Sequence, residues 1–245
     1  MPVKDKAVIV TGGASGMGRA SALVLAANGA KVVVADRDEA GARAASGEIV
    51  AKGGTAITVT CDVGDSADVA RLVNRTQEEY GRVDVLVHAA GICPRKPILE
   101  MSDEDWREVL RVNLDGSFYV TRDVGRAMAA QKSGTMILVT SDRGIHGSID
   151  YAHYAASKGG MIALTKSLAL ALGKYGVTVN GLNPGLTDTP MGRAAVTQWQ
   201  EKLALDVLGK CSQPEEIAEI ILFLAGTAGA FMTGQIVNTR MRYGA

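Results

Sequence analysis

Thr11-Gly12-Gly13-Ala14-Ser15-Gly16-Met17-Gly18 is a glycine-rich stretch that follows a short apolar run, residues 6–10, and precedes a helical pattern, residues 19–28. Glycine allows a tight turn and a close approach of backbone to phosphate, and the N-terminus of a following helix offers free N–H groups. The glycine spacing differs from the G-x-G-x-x-G fingerprint, and the lack of a Gly-Lys-Ser/Thr triplet disfavours a nucleoside-triphosphate loop. The position of the stretch between a strand and a helix therefore favours a dinucleotide.

Seven short apolar runs, each predicted as a strand, alternate with helical patterns along the 245 residues. Strands that are apolar along their whole length and alternate with helices are typical of a parallel sheet covered on both faces. One of the predicted helices is long and spans residues 102–131. No change in composition marks a linker, so we predict one α/β domain over residues 1–245. Its fold is a Rossmann-type doubly wound parallel sheet of about seven strands with helices on both faces.

Composition and charge are typical of a globular protein, with 47% hydrophobic and 21% charged residues. The formal net charge is zero and no basic block is present, so we expect no nucleic-acid partner. No apolar run reaches the roughly 18 residues of a membrane span, and the N-terminus lacks a signal-peptide pattern, so we expect a cytoplasmic protein without membrane contact. Cys61, Cys93 and Cys211 are odd in number and far apart, which predicts reduced thiols, no disulfide framework and no metal site.

Tyr154 and Lys158 stand four residues apart within residues 151–175, which the pattern predicts as a helix. Side chains four positions apart lie on one helix face. An ammonium beside a phenol favours the phenolate and lowers the tyrosine pKa from its usual value of about 10, so the pair could exchange protons with a substrate. A solvated helix edge is the alternative interpretation of the same spacing.

Asp36 ends the second predicted strand, where a dinucleotide-binding sheet presents a carboxylate to the ribose hydroxyls of adenosine. A carboxylate at that place also repels the 2′-phosphate of NADP, and the glycine-rich stretch carries no cation that would bind this phosphate. We therefore predict NAD, with NADP as the less favoured cofactor because Arg37 follows Asp36 directly. The alternative for Asp36 is a solvated carboxylate at a strand end.

Thr11-Gly-x-x-x-Gly16-x-Gly18 together with Tyr154-x-x-x-Lys158 resembles the short-chain dehydrogenase/reductase family, in particular its 3-oxoacyl reductase-like and secondary alcohol dehydrogenase members. Further motifs extend the resemblance over essentially the whole chain. They are Asp62-Val63, Ala89-Ala90-Gly91, Asn113, Ser141 thirteen residues before Tyr154, and Asn183-Pro184-Gly185 followed by Thr187 and Thr189. His88 stands where the family usually has Asn, and we expect a packed, hydrogen-bonded histidine there. The tail, residues 237–241, lacks the Asp-Gly-Gly that often ends the family.

The resemblance implies a nicotinamide dinucleotide cofactor and a role for four catalytic residues. Tyr154 gives and takes the proton, Ser141 hydrogen-bonds the substrate oxygen, and Asn113 supports a water relay to Lys158. Lys158 holds the nicotinamide ribose and, together with the positive nicotinamide of NAD⁺, keeps the Tyr154 pKa low. Together with the glycine-rich stretch and Asp36, the resemblance predicts these cofactor-binding residues: Gly12, Ser15, Gly16, Met17, Gly18, Asp36, Arg37, Asp62, Val63, Ala89, Ala90, Gly91, Tyr154, Lys158, Pro184, Gly185, Thr187 and Thr189.

Substrate contacts are indicated at two places. Arg143 and His146 follow Ser141 closely, and two potential cations beside the reacting carbon suggest a substrate with a carboxylate, a thioester-linked phosphate or another polar group. A surface salt bridge around Asp142 and Arg143 is the alternative. Residues 186–212 are predicted to form a lid of helical pieces, with Met191 and Trp199 as candidate substrate contacts, although the apolar residues there suit a plain core equally well.

These patterns predict an NAD(H)-dependent oxidoreductase that interconverts a small secondary alcohol and a ketone. A reductase of 3-oxoacyl thioesters, carried by acyl carrier protein or coenzyme A, is the alternative enzyme. A non-catalytic dinucleotide sensor is the alternative of another class, which the joint presence of the four catalytic residues disfavours. The resemblance also suggests a homotetramer, or a homodimer, built through the long helices.

Overall fold

The computed structural model describes residues 2–195 and 206–239. Its strands are β1 Ala7–Thr11, β2 Lys31–Asp36, β3 Thr55–Thr60, β4 Val85–His88, β5 Gly134–Val139, β6 Val177–Asn183 and β7 Ile236–Asn238. They form one seven-stranded parallel sheet in the order β3-β2-β1-β4-β5-β6-β7. The predicted doubly wound parallel sheet is therefore confirmed.

Strand order reverses at β1, which pairs with β2 on one side and with β4 on the other. Val8 lies opposite Val32 of β2 and opposite Val85 of β4. The chain thus builds the sheet outward from β1 in one direction, returns, and builds it outward in the other. Open α/β sheets bind their ligands beyond the carboxyl ends of the strands at such a reversal.

Helices cover both faces of the sheet. They are α1 Gly16–Ala27, α2 Glu39–Ala51, α3 Ser66–Tyr80, α4 Asp103–Leu110, α5 Gly116–Gln131, α6 Arg143–His146, α7 Ala152–Leu172, α8 Pro190–Ala194 and α9 Pro214–Ala225. Side chains alternate between the faces of a strand, so Val8 and Val10 join a core with α1, α2 and α9, whereas Ile9 joins a second core with α3, α5 and α7. None of the helices in the described part of the chain is long and apolar enough to cross a membrane.

The long helix predicted at residues 102–131 is interrupted at Asn113. Helix α4 ends at Leu110, and Arg111–Asp115 form a π-helical turn before α5 begins at Gly116. The buried Asn113 amide explains the wider turn, because it reaches out of the helix and bonds Ile92 twice: its Oδ1 accepts from the Ile92 N–H at 2.8 Å and its Nδ2 donates to the Ile92 carbonyl at 2.9 Å. Such π turns often mark functional sites.

Candidate active site

The predicted site residues come together at the carboxyl edge of the sheet, where two adjoining cavities lie. All predicted cofactor residues between 12 and 91 line the first cavity. Tyr154, Lys158 and the predicted cofactor residues between 184 and 189 line the second cavity, together with Ser141. Met17, Gly91 and Thr189 are among the residues shared by both cavities, which are therefore neighbouring parts of one cleft.

Glycine is required at two positions of the turn after β1 because backbone atoms occupy the space of a side chain. At Gly12, where φ is 70°, a Cβ would lie 2.8 Å from the Ala90 nitrogen. At Gly18 a Cβ would lie 2.1 Å from the Gly12 carbonyl oxygen. Bare backbone therefore lines this part of the first cavity.

The N-terminus of α1 leaves its N–H groups available to a ligand. Ser15 occupies the N-cap position without a side-chain capping bond, and the first turn contains no acidic residue. Free N–H groups and the positive end of the helix dipole suit a phosphate. This cradle of glycine and free helix N-terminus fits the pyrophosphate of a dinucleotide.

Two carboxylates stand at the ends of β2 and β3 in the first cavity. The Asp36 carboxylate accepts hydrogen bonds from the Ala14 and Asp38 N–H groups, both at 3.0 Å, so it is tied to the glycine-rich turn. Asp62 forms an ion pair with Arg111 at 2.9 Å between Oδ2 and Nη1. Arg37 is exposed and lines the same cavity beside Asp36.

Ser141, Tyr154 and Lys158 meet in the second cavity. Tyr154 lies in the first turn of α7, and the Lys158 Nζ, one turn later, is 5.7 Å from the centroid of its ring. The Lys158 ammonium donates to the Val139 carbonyl at the end of β5 at 2.7 Å. Ser141, which follows β5, lines the same cavity, and its hydroxyl donates to the Asp142 carboxylate at 3.2 Å. The solvated helix edge is therefore ruled out, because both Tyr154 and Lys158 are buried.

Burial changes the pKa values of this pair in opposite directions. It raises the pKa of Tyr154 well above the usual value of a phenol, while the Ser141 hydroxyl and the charge of Arg143 act to lower it. Burial lowers the pKa of Lys158 to about 8. In the chain without a cofactor, burial outweighs the groups that act to lower the Tyr154 pKa, and its predicted depression by Lys158 together with a positive nicotinamide stays a prediction.

Asn113 lies beside the second cavity without lining it. Besides its two bonds with Ile92, its Nδ2 donates to the Ser157 Oγ at 3.1 Å. A Cβ on Gly91 would lie 3.1 Å from the Asn113 Oδ1 and 3.8 Å from the Lys158 Nζ, so the three residues are close neighbours. Asn113 therefore positions the backbone that follows β4, and its part in a water relay stays a prediction.

His88, at the end of β4, is fully buried and hydrogen-bonded through both ring nitrogens, which confirms the expected packed histidine. Its Nδ1 lies 2.8 Å from the Thr11 Oγ1 and its Nε2 lies 2.9 Å from the Ser117 Oγ. Ser117 donates its own proton to the Asn113 carbonyl, so it must accept from the histidine, and the ring proton is assigned to Nε2. Burial and the nearby Lys158 charge lower the pKa of His88 to about 3.

The candidate substrate residues fall into three groups. Arg143 and Met191 line the second cavity. His146, at the end of α6, is exposed and lines neither cavity, so the structure does not bring it to the site. Trp199 lies outside the described residues.

Sequence reasoning missed two contributors to the second cavity region. Cys93 lines the cavity, and Tyr151 packs under the Arg143 guanidinium. The sequence offered one signal, which is that Tyr151 stands three residues before Tyr154. Among the residues that the structure describes, no cluster of three His, Cys, Asp or Glu side chains could hold a metal ion.

Of the predicted lid, residues 196–205 lie outside the described part of the chain, and the two described ends are joined to each other. Thr187 forms a parallel β-bridge with Ser212, the Asp188 N–H donates to the Ser212 carbonyl at 2.8 Å, and the Ser212 N–H donates to the Leu186 carbonyl at 2.9 Å. Residues 186–212 therefore start and end at one point of the fold. Helix α8, in the first part of this segment, brings Met191 to both cavities.

A doubly wound parallel sheet whose glycine-lined cavity adjoins a Ser, Tyr and Lys cluster defines a dinucleotide-binding oxidoreductase. The family model described as Enoyl-(Acyl carrier protein) reductase matches residues 12–239. The chain belongs to this family, and with it to the short-chain dehydrogenases/reductases.

Individual relatives match over almost their entire length. The 3-oxoacyl-[acyl-carrier-protein] reductase of Synechocystis sp. is 41% identical, with 94% of this chain and 93% of that protein covered. L-rhamnose 1-dehydrogenase (NAD(P)(+)) of Azotobacter vinelandii is 37% identical, with 94% and 93% covered. Among solved structures, levodione reductase superposes with a TM-score of 0.92 at 30% identity, and 97% of each chain is covered.

Proposed function

We propose that the protein is an NAD(H)-dependent oxidoreductase that interconverts a small secondary alcohol and a ketone. The observation that carries this proposal is the second cavity, where Ser141, Tyr154 and Lys158 converge beside the glycine-lined first cavity. A hydroxyl, a phenol and an ammonium in one buried place are suited to binding a carbonyl oxygen and moving a proton to it.

The residues of the chain divide the chemistry between them. The N-terminus of α1 and the glycine turn hold the pyrophosphate, and Lys158 binds the nicotinamide ribose. Ser141 donates a hydrogen bond to the substrate oxygen, and Tyr154 gives this oxygen its proton in ketone reduction. A bound nicotinamide dinucleotide supplies or accepts the hydride. Residues 186–212 act as a lid that excludes water from the second cavity.

The preference for NAD rests on Asp36. Its carboxylate, held at the edge of the first cavity by two backbone N–H groups, accepts from ribose hydroxyls and repels a 2′-phosphate. Arg37 is the one feature nearby that favours NADP, and its exposed position makes its attraction weak.

A reductase of 3-oxoacyl thioesters is the second candidate function. It is favoured by the name and the 41% identity of the Synechocystis protein. The names L-rhamnose 1-dehydrogenase and levodione reductase favour small alcohols and ketones instead. The chemistry at Tyr154 is the same in both cases, so the two candidates differ in the substrate that the second cavity accepts.

The decisive experiment follows NADH absorbance with a panel of ketones, alcohols and 3-oxoacyl thioesters. Tyr154→Phe should lower turnover by at least about a thousandfold while NADH binding is retained, because only the proton donor is lost. Tyr175→Phe, which removes a phenol from a half-exposed position outside both cavities, is the matched control. Normal activity in Tyr154→Phe would refute the mechanism, and NAD binding without turnover of any compound would favour a dinucleotide sensor.

We also propose a cytoplasmic homotetramer, or a homodimer, of single-domain subunits. Large apolar side chains exposed on the long helices, Phe118 on α5 and Leu170 on α7, support subunit contacts there. Light scattering that gives the mass of one chain at micromolar concentration would exclude both assemblies.

A further inference from the structure

Arg143 places a positive charge beside the catalytic phenol. It begins α6 two residues after Ser141 and lines the second cavity. Its Cζ lies 4.0 Å from the centroid of the Tyr151 ring and 6.0 Å from that of the Tyr154 ring. A substrate whose oxygen is bound by Tyr154 therefore has a guanidinium within reach of its next few atoms.

The guanidinium is held in place by neutral groups. Its Nη1 donates to the Cys93 Sγ at 3.3 Å and its Nη2 donates to the Ala195 carbonyl at 3.1 Å. The Tyr151 hydroxyl donates to the same carbonyl at 2.8 Å, which fixes the stacked ring. A fixed guanidinium loses little conformational entropy when it binds a ligand, so it is preorganised for recognition.

No carboxylate among the described residues forms an ion pair with Arg143, whereas Asp142 has a partner of its own, so the predicted alternative of a surface salt bridge around Asp142 stays a prediction. Among the described residues that line the second cavity, Arg143 and Lys158 carry positive charge. The planar fork of an arginine suits a carboxylate in particular.

We propose that the substrate carries a carboxylate and that Arg143 binds it while Ser141 and Tyr154 bind the reacting oxygen. This inference rests on the proposed function, since it names the substrate class of the same cavity. The protein then acts on hydroxy acids and oxo acids in preference to neutral alcohols and ketones of the same size.

Matched probes test the proposal. Levulinate carries a carboxylate two methylenes from its ketone, and levulinamide replaces it with a neutral group of nearly the same shape; longer homologues of both vary the spacing. Arg143→Gln should lower the ratio of kcat/KM for the oxo acid to that for the amide by about 10- to 100-fold, as expected for a lost charge-assisted hydrogen bond. Arg143→Lys should recover part of the ratio, since it keeps the charge and loses the fork. Arg126→Gln, which removes the same charge from an exposed ion pair with Asp123, is the control.

Ligand-induced thermal stabilisation gives a second readout that needs no turnover. The oxo acid should raise the melting temperature of the wild-type protein more than the amide does, and Arg143→Gln should abolish this difference. Equal losses of kcat/KM for the oxo acid and the amide in Arg143→Gln would overturn the proposal. Arg143 would then act only through the pKa of Tyr154. Turnover of neutral ketones without preferential binding of any oxo acid would overturn it while the proposed function stands. Arg143-dependent binding without turnover would support it and contradict the proposed function.

Discussion

Acid should destabilise this protein through His88, which is buried as a neutral ring. Its Nδ1 accepts a hydrogen bond from the Thr11 hydroxyl and its Nε2 donates to Ser117, so a second ring proton would face a donor. The pKa of His88 is lowered from 6.5 to about 3 in the folded state, mainly by burial. Below pH 6.5 the unfolded chain therefore binds a proton that the folded chain does not bind.

The sign and size of the effect follow from proton linkage. The unfolded state binds more protons than the folded state between about pH 6.5 and pH 3, so the free energy of unfolding decreases as pH falls, by up to about 1.4 kcal/mol per pH unit. Between pH 6 and pH 4 the contribution of His88 to this decrease is about 2.5 kcal/mol. Acidic residues add their own pH dependence, so the wild-type protein must be compared with a variant that lacks the imidazole.

Urea unfolding at pH 6, 5 and 4 measures the difference. His88→Asn and His88→Gln lose stability at neutral pH because a bond to Thr11 or Ser117 is lost. As pH falls from 6 to 4, the difference in unfolding free energy between the wild-type protein and either variant should change by about 2.5 kcal/mol in favour of the variant. NMR of the ring protons, among only three histidines, should show His88 neutral at pH 5. A stability difference that is constant over this range would refute the assignment of a neutral, buried His88.

Two further substitutions test the first cavity. Asp36→Asn keeps an acceptor for the Ala14 N–H and removes the charge, so the ratio of kcat/KM for NAD to that for NADP should fall about tenfold or more; an unchanged ratio would remove Asp36 from cofactor selection. Gly18→Ala forces a Cβ against the Gly12 carbonyl, so it should lower the free energy of unfolding in urea by about 1–3 kcal/mol and weaken cofactor binding. Gly47→Ala is the control, at an exposed position of α2 where a Cβ meets nothing within 4 Å, and it should stabilise the protein by about 0.5–1 kcal/mol. Equal effects of the two substitutions on stability and cofactor binding would contradict the assignment of Gly18 to a phosphate-binding turn.

The sheet was predictable because its evidence is local. The strands are short, the inner strands β2, β1, β4, β5 and β6 are buried along most of their length, and turn residues bound them. Parallel strands place the residues after their carboxyl ends along one edge of the sheet. The glycine-rich stretch, Asp36 and Ser141 therefore had to lie near one another once the sheet was predicted.

Features that depend on distant contacts could not be predicted in the same way. The π-helical turn at Asn113 arises from bonds to Ile92, twenty-one residues earlier. Arg143 is positioned by Cys93 and Ala195, which are fifty or more residues away in either direction. His146 has the same sequence neighbourhood as Arg143, yet the short α6 leaves it exposed. Burial is a tertiary quantity, and so the rise that it causes in the Tyr154 pKa could not be predicted from the sequence.

The raised pKa of Tyr154 affects which proton transfers the free protein favours. Burial favours the neutral form of both partners, raising the pKa of Tyr154 and lowering that of Lys158 to about 8, so the chain alone keeps the proton on the phenol. A protonated Tyr154 is ready to donate to the oxygen of a ketone during reduction. Accepting a proton from an alcohol requires the phenolate form, which positive charge beside the phenol favours, and Arg143 acts in this direction. In the proposed reaction the free protein would therefore present Tyr154 as a general acid, and its use as a general base would depend on what binds next to Tyr154.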